Sequence, residues 1–225
     1  VPPVGDYFRQ VRRLCDAHGI LLIFDEVMCG MGRSGTLFAC EQYDASPDIC
    51  AIAKGLGAGY QPIGAMLSSA TIHDTIRDGS GFFQHGHTYL GHPVACAAAL
   101  AVLERLLDDN LLARVHPLGD ALHTALTDQF GQHPHVGDIR GVGLFRAIEI
   151  VKFRETKEPF DPADRVHARL KAAAFEAGLI CYPMGGTVDG TKGDHILLAP
   201  PFILDEAELV VLVDRLESAV QKTLG

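Results

Sequence analysis

Two short apolar runs, one followed by an acidic pair and the other by a lysine, constrain this chain more than any other feature. Leu21–Phe24 contains no polar residue and precedes Asp25 and Glu26, and Ile49–Ala53 precedes Lys54. Runs of this length and composition predict strands that are buried on both faces of a parallel sheet. Ligands of such sheets bind beyond the carboxyl ends of the strands, so we expect Asp25 and Lys54 to meet in one crevice.

The rest of the chain alternates helical and strand patterns. Apolar residues at helical spacing predict a helix over residues 6–18 that stops at Gly19, and residues 62–69 predict a third strand after a glycine-rich loop. Further helices are predicted over residues 70–77, 93–109, 111–130, 164–177 and 205–223, and short strands over 136–140, 143–151, 180–182 and 195–198. This alternation predicts an α/β fold with a mostly parallel sheet.

The pattern of predicted elements changes near Asn110. Before it, the segment 93–109 is rich in alanine and leucine, and a helix formed by it would be apolar nearly all round, which predicts a buried helix. After it, short strands and amphipathic helices alternate. We therefore expect residues 1–109 to form part of a larger domain and residues 110–225 to form a smaller α+β domain.

Composition excludes several classes of partner and bounds the compartment. The net charge is -9 without a cluster of lysine or arginine, which argues against nucleic acid and against an anionic membrane surface. No apolar run reaches the roughly 18 residues that a membrane span needs. The six cysteines form no C-x-x-C pair, which indicates a reducing compartment and favours the cytoplasm. The absence of an initiating methionine indicates a processed or partial chain.

Several other motifs in the sequence do not predict a catalytic role. Gly30–Gly35 matches G-x-G-x-x-G, but five residues separate it from the strand and Asp48 precedes the next strand, so a flexible loop is favoured over a nucleotide site. The histidines of segments 85–87 and 133–135 have no further ligands at a recognisable spacing, so no metal site is predicted. No G-x-S-x-G elbow is present. Thr88 can serve an anion through its hydroxyl and backbone N–H.

Asp25 and Lys54 together point to a specific chemistry. An acid and an amine brought to one crevice by adjacent strands are what a pyridoxal phosphate site requires, because the amine bonds to the aldehyde and the carboxylate keeps the ring nitrogen protonated. Metal binding is the competing interpretation. It is disfavoured because Asp25 and Glu26 point to opposite faces of a strand and no histidine lies near them in sequence.

The chain resembles the class III pyridoxal phosphate-dependent aminotransferases, the omega-aminotransferase group of fold type I. The matching segments follow the order and spacing of that family and span nearly the whole chain. They are LLIFDEVMCGMGRSG, PDICAIAKGLGAGYQPIGAMLSS, HTYLGHPVACAAALA, IRGVGLFRAIEI and ILLAPPFI.

The resemblance implies a role for each matched site residue. Lys54 is the Schiff-base lysine and Asp25 the partner of the pyridine nitrogen, while Val27, on the same strand face as Asp25, packs against the cofactor ring. Thr88 binds the cofactor phosphate in the site of the neighbouring subunit, which implies a homodimer with shared active sites. The reaction implied moves an amino group from an amine or omega-amino acid to a keto acid such as pyruvate or 2-oxoglutarate.

The chain departs from the family pattern in two respects. Family members are about twice as long, and the N-terminal half that normally carries the phosphate cup and an aromatic ring stacked on the cofactor is absent here. The arginine that several members place shortly before the Pro-Pro pair has no counterpart in Gly190–Pro201, where Lys192 is the nearest cation. A racemase, aminomutase or decarboxylase of the same fold is an alternative, because the Asp25 and Lys54 pair activates all of these reactions. A non-catalytic fragment is another alternative.

Overall fold

The two apolar runs form neighbouring parallel strands in the computed structural model, which describes residues 1–225. β1 (Ile23–Asp25) pairs with β2 (Ile49–Ile52), and Asp25 lies opposite Ala51. β3 (Ala65–Ser68) adds to the free side of β2 in the antiparallel direction, which gives the order β1-β2-β3. The predicted adjacency of the first two strands is confirmed.

The chain divides into two compact units. We call Pro3–Ala113 the N-terminal unit and Arg114–Gly225, together with Val1 and Pro2, the C-terminal unit. Each contains its own sheet, with three strands in the N-terminal unit and four in the C-terminal unit.

The N-terminal unit contains three helices, of which the first and third pack against one face of its sheet. They are α1 (Tyr7–His18), α2 (Ala70–Asp78) and α3 (Pro93–Asp108). Phe8 and Val11 of α1 pack against Leu22 and Phe24, and α3 contributes Ala99 to a second cluster that includes Cys50 and Ile52. As predicted, α1 ends at Gly19, which adopts the left-handed conformation with φ of 63°.

The opposite face of this sheet is uncovered, which corrects two predictions. Ile23 is 61% exposed and Leu21 and Met66 are also exposed, so β1 is not buried on both faces. The helix α3 is not buried either, because only Ala95, Ala99 and Leu106 are enclosed while Leu100 is 58% exposed. Apolar composition predicted burial correctly on the faces that meet α1 and α3 and wrongly on the faces that nothing in the chain covers.

The C-terminal unit is an antiparallel sheet packed against helices. Its elements are α4 (Leu112–Phe130, beginning just before the unit), β4 (Val136–Val142), β5 (Phe145–Ile150), α5 (Val166–Glu176), β6 (Tyr182–Gly185), β7 (Asp194–Leu198) and α6 (Glu206–Leu224). The strand order is β4-β5-β7-β6. Leu122, Leu126, Ile148 and Ile196 are fully buried in one large cluster. No helix is both long and apolar enough to cross a membrane.

Close packing around the segment IRGVGLFRAIEI requires glycine at Gly141 within it and at Gly119 of the facing helix α4. A Cβ on Gly119 of α4 would lie 2.2 Å from the carbonyl oxygen of Gly143, and Gly141 has φ of 149° with Phe145 O at 2.1 Å from a hypothetical Cβ. The buried Arg146 donates to the carbonyl oxygens of Gly143 and Gly141 at 2.9 and 3.0 Å. This motif therefore joins the β4–β5 hairpin to α4.

Candidate active site

Asp25 is the last residue of β1 and its side chain is exposed on the uncovered face of the sheet. The carboxylate is oriented by one local contact, in which the backbone N–H of Val27 donates to Oδ1 at 3.0 Å. The other oxygen, Oδ2, accepts no hydrogen bond from the protein. One side of this carboxylate is thus fixed and the other is open to a ligand.

Lys54 lies one residue beyond the end of β2, after Ala53, and begins the short 3-10 helix Lys54–Leu56. Its side chain is exposed and forms no ion pair, and its φ of 41° lies in the left-handed region that non-glycine residues rarely adopt. The turn behind it is closely packed: a Cβ on Gly57 would lie 2.5 Å from the carbonyl oxygen of Gln61, and one on Gly55 would lie 2.8 Å from Cβ of Met31. The lysine therefore stands on a rigid turn.

The strand register brings these two side chains to the same edge of the sheet. Asp25 lies opposite Ala51 in a parallel ladder, and Lys54 lies three positions after Ala51, just beyond the end of β2. An open carboxylate oxygen and an unpaired primary amine therefore stand at the carboxyl ends of adjacent strands, and both side chains are exposed. This donor set fits a heterocyclic aldehyde that needs an amine at one end and an acid at its ring nitrogen.

Glu26 is a buried acidic residue beside the site to which the sequence assigned no function. It is 2% exposed, and its carboxylate oxygens Oε2 and Oε1 accept hydrogen bonds from the backbone N–H groups of Ala39 and Cys40 at 2.6 and 2.8 Å. Burial raises the pKa of the Cys40 thiol to about 12, and a hydrogen bond to Glu26 adds to this shift. The sequence contained one signal for this residue: adjacent residues of a strand point to opposite faces, so an exposed Asp25 places the charged side chain of Glu26 among core residues.

The glycine-rich segment Gly30–Gly35 is packed rather than flexible, which corrects the prediction. Met31 is 4% exposed and belongs to the cluster of Cys50 and Ile52, and Ser34 is also buried. The hydroxyl of Ser34 donates to the carbonyl oxygen of Cys29 at 3.0 Å. The segment supports the turn that carries Lys54 from below, through the contact between Met31 and Gly55.

Val27 and Thr88 occupy positions that the sequence pattern only partly indicated. Val27 lies in a turn after β1, so the argument that it shares a strand face with Asp25 does not apply, and its N–H orients Asp25 instead. Thr88 lies in an irregular, fully exposed segment between α2 and α3, and its side chain makes no hydrogen bond within the protein.

The histidine pairs sit outside any metal-binding arrangement. The rings of His85 and His87 are exposed with centroids 4.9 Å apart. His135 Nδ1 lies 3.0 Å from the carbonyl oxygen of Lys152, so this nitrogen is a donor and the ring closes a loop. No group of three or more histidine, cysteine, aspartate or glutamate side chains in the structure is arranged to hold a metal ion.

Comparison with known proteins gives one consistent family. The sequence profile described as "Aminotransferase class-III" matches residues 1–220. An aminotransferase of Gibberella zeae is 43% identical over 226 residues, which cover 100% of this chain and 44% of that protein.

Solved structures of transaminases share the fold of the whole chain. A thermostable (S)-enantioselective omega-transaminase from Thermomicrobium roseum superposes with a TM-score of 0.90 at 38% identity, over 100% of this chain and 48% of its own. A PLP-bound amine transaminase from an uncultivated Pseudomonas species gives a TM-score of 0.87 at 39% identity, over 99% and 49%. The chain spans about half the length of the relatives that it matches.

Proposed function

Since this chain belongs to the class-III aminotransferases, we propose that it transfers an amino group from an amine or omega-amino acid donor to a keto acid such as pyruvate or 2-oxoglutarate. The family match covers residues 1–220 and supports an enzyme of this class. The observation that carries the proposal is the pairing of Asp25 and Lys54 at the carboxyl ends of adjacent parallel strands. Both side chains are exposed.

Pyridoxal 5'-phosphate is the cofactor of this family. When bound, it supplies an aldehyde carbon for the amino group and a pyridinium ring that accepts electrons. Lys54 would hold the aldehyde carbon, and its free amine would serve as the base that moves a proton at the substrate carbon. Asp25 would pair with the ring nitrogen through its open oxygen, while the N–H of Val27 fixes the other oxygen.

Thr88 binds the cofactor phosphate of a neighbouring subunit in this proposal, and the active protein is a homodimer. The segment that contains Thr88 supports this assignment because its large apolar side chains are exposed, with Tyr89 at 80%. Phe82, Phe83 and Leu90 are exposed in the same segment. Contiguous exposed apolar side chains of this kind mark protein–protein contact surfaces.

The charged residues near the Pro-Pro pair bear on how the donor is recognised. Gly190–Pro201 contains no arginine, and Lys192 is exposed in the loop between β6 and β7. The backbone N–H groups of Thr191 and Lys192 donate to Asp189 Oδ1 at 2.9 and 2.7 Å, so the loop has a defined shape. A lysine offers a point charge in place of the bidentate arginine fork, which supports a donor whose recognition does not depend on that fork.

Covalent labelling tests the proposal. We expect pyridoxal 5'-phosphate, after reduction with borohydride, to label Lys54 in the purified protein, and Lys54→Ala to abolish both the label and the formation of alanine from pyruvate and an amine donor. Lys171→Ala is the matched control because it removes an exposed lysine of α5, outside this sheet, and is expected to leave the label unchanged. Labelling of a different lysine, or racemised or decarboxylated donor without alanine, would contradict the proposal.

A further inference from the structure

Glu26 is a charged side chain beside the proposed site that the proposed reaction does not use. It follows Asp25 directly, but it points into the core of the N-terminal unit and is 2% exposed. A buried carboxylate is costly unless hydrogen bonds compensate for the loss of water. The contacts that compensate for it here connect three separate pieces of structure.

The first connection is to the sheet and to the turn that follows β1. The N–H of Glu26 donates to the carbonyl oxygen of Ala51 at 2.9 Å, which continues the ladder between β1 and β2 by one residue. Its own carbonyl oxygen accepts from the N–H of Gly30 at 3.0 Å, which closes the turn of residues 26–30.

The second connection runs through the side chain. Both carboxylate oxygens accept backbone N–H groups at the start of the 3-10 helix Ala39–Tyr43, from Ala39 and Cys40. Two backbone donors at the start of one short helix therefore hold the Glu26 side chain in a defined position.

Gly30 closes the arrangement from the other side. A Cβ at Gly30 would lie 2.8 Å from both the carbonyl oxygen and Oε2 of Glu26, so the turn packs directly on the carboxylate. Between Glu26 and Gly30 lies Val27, whose N–H is the donor to Asp25 Oδ1. Any shift of Glu26 moves the group that orients Asp25.

We propose that Glu26 is a positioning residue for the cofactor site: its buried carboxylate fixes the turn of residues 26–30, and this turn holds Asp25 in the orientation that faces the ring nitrogen. The inference rests on the proposed function and assigns the buried acid, which touches neither substrate nor cofactor, a role that acts through Asp25. Its effect on cofactor binding therefore requires the Asp25 carboxylate.

A double-mutant cycle tests this dependence. The dissociation constant of pyridoxal 5'-phosphate is measured by equilibrium dialysis for the unsubstituted protein, Glu26→Gln, Asp25→Asn and the double variant. We expect Glu26→Gln to weaken binding of the cofactor about tenfold. The glutamine side chain has an NH2 group in place of one carboxylate oxygen, so one of the two backbone N–H groups loses its acceptor. In the Asp25→Asn background we expect the same substitution to change binding less than about twofold.

Two further variants and one spectroscopic measurement separate positioning from general stability. Glu41→Gln is the matched control, because Glu41 Oε1 accepts the N–H of Phe38 at 2.7 Å on the same 3-10 helix but does not contact the turn of residues 26–30. We expect it to leave binding unchanged. Glu26→Asp keeps the charge and shortens the reach, and replaces Glu26→Gln in the cycle if that variant does not fold. The pH midpoint of the visible absorbance of the bound cofactor should shift in Glu26→Gln in the same direction as in Asp25→Asn.

The outcomes are distinct. An equal loss of affinity in both backgrounds, or no loss in either, would overturn the positioning role while leaving borohydride labelling of Lys54 intact. Failure of the unsubstituted protein to bind and label at Lys54 would overturn the proposed function and this inference with it.

Discussion

Lys54 has a solvent-exposed side chain and an uncommon backbone conformation. Its φ of 41° belongs to a region that costs a non-glycine residue on the order of 1–3 kcal/mol, and such conformations persist only where the surroundings determine them. The surroundings here are Leu56, which is buried, and two glycines, Gly55 and Gly57, that pack without room for a side chain. The packing of the turn therefore offsets the conformational cost of the left-handed backbone at Lys54 and fixes the direction of its side chain.

Gly57→Ala tests whether that packing matters to the site. The backbone of Gly57 has φ of -104°, which alanine adopts readily, so the added Cβ acts only through its contacts with Gln61 O at 2.5 Å and Ile63 Cγ2 at 2.9 Å. We expect the variant to be about 1–3 kcal/mol less stable to urea and to lose labelling of Lys54 by pyridoxal 5'-phosphate.

The control for this prediction is Gly86→Ala in the same unit. A Cβ at Gly86 meets nothing within 4 Å, so both stability and labelling should match those of the unsubstituted protein. Equal labelling of Lys54 in Gly57→Ala would show that the turn tolerates displacement and that its packing does not orient the lysine.

At the scale of elements, one acidic residue attaches α1 to the sheet. Asp48 Oδ2 accepts the N–H of Leu22 at 2.7 Å and Arg12 Nη1 at 2.8 Å. The hydrogen bond from Leu22, followed by that from Arg12, lowers the pKa of Asp48 below its ordinary value. The carboxylate thus joins the strand entry, the helix and the start of β2 in one contact.

The lowered pKa of Asp48 determines how the free energy of unfolding depends on pH. The contribution of Asp48 to stability is fully present above the ordinary pKa of about 3.9 and is lost as the pH falls through the lower folded-state value. We expect Asp48→Asn to lower the free energy of unfolding by about 1 kcal/mol near neutral pH. The difference should shrink as the pH is lowered below about 4, as measured by urea denaturation across a pH series.

Asp16→Asn is the matched control, because Asp16 pairs with the same arginine at 2.7 Å but is 64% exposed. Exposed ion pairs contribute little, so this variant should remain close to the unsubstituted protein at every pH. A pH-independent loss in Asp48→Asn would contradict the assignment of its effect to the charge.

Local signals in the sequence were sufficient for most elements and for the placement of Asp25 and Lys54 at the ends of adjacent strands. The left-handed stop at Gly19, the strand ends at Asp25 and before Lys54, and the capping of α6 by Asp205 all depend on residues close in sequence. Which faces are covered depends on distant partners, so the exposure of Ile23 did not follow from an apolar run. The turn at Val27 was missed for the same reason, because the contact from Glu26 to Ala39 is not visible in any local pattern.

At the scale of the whole molecule, the two units bury their apolar residues to different degrees. The C-terminal unit contains one large cluster in which Leu122, Leu126, Ile148 and Ile196 are fully enclosed. The N-terminal unit has two small clusters and leaves a sheet face and most of α3 exposed. Because buried apolar area is the main source of stability, the C-terminal unit should resist local opening more strongly.

Limited proteolysis measures this difference directly. We expect chymotrypsin to cut first between α2 and α3, at Phe82, Phe83 or Tyr89, because this exposed segment has no regular secondary structure, and a fragment that contains most of Arg114–Gly225 should persist. Early cuts inside the C-terminal unit would contradict the stability difference.

Cleavage between α2 and α3 should also slow as the protein concentration rises, since the proposed pairing of subunits inserts Thr88 into the neighbouring site and shields the same aromatic residues from the protease. A rate independent of concentration would count against that pairing while leaving the comparison between the two units intact.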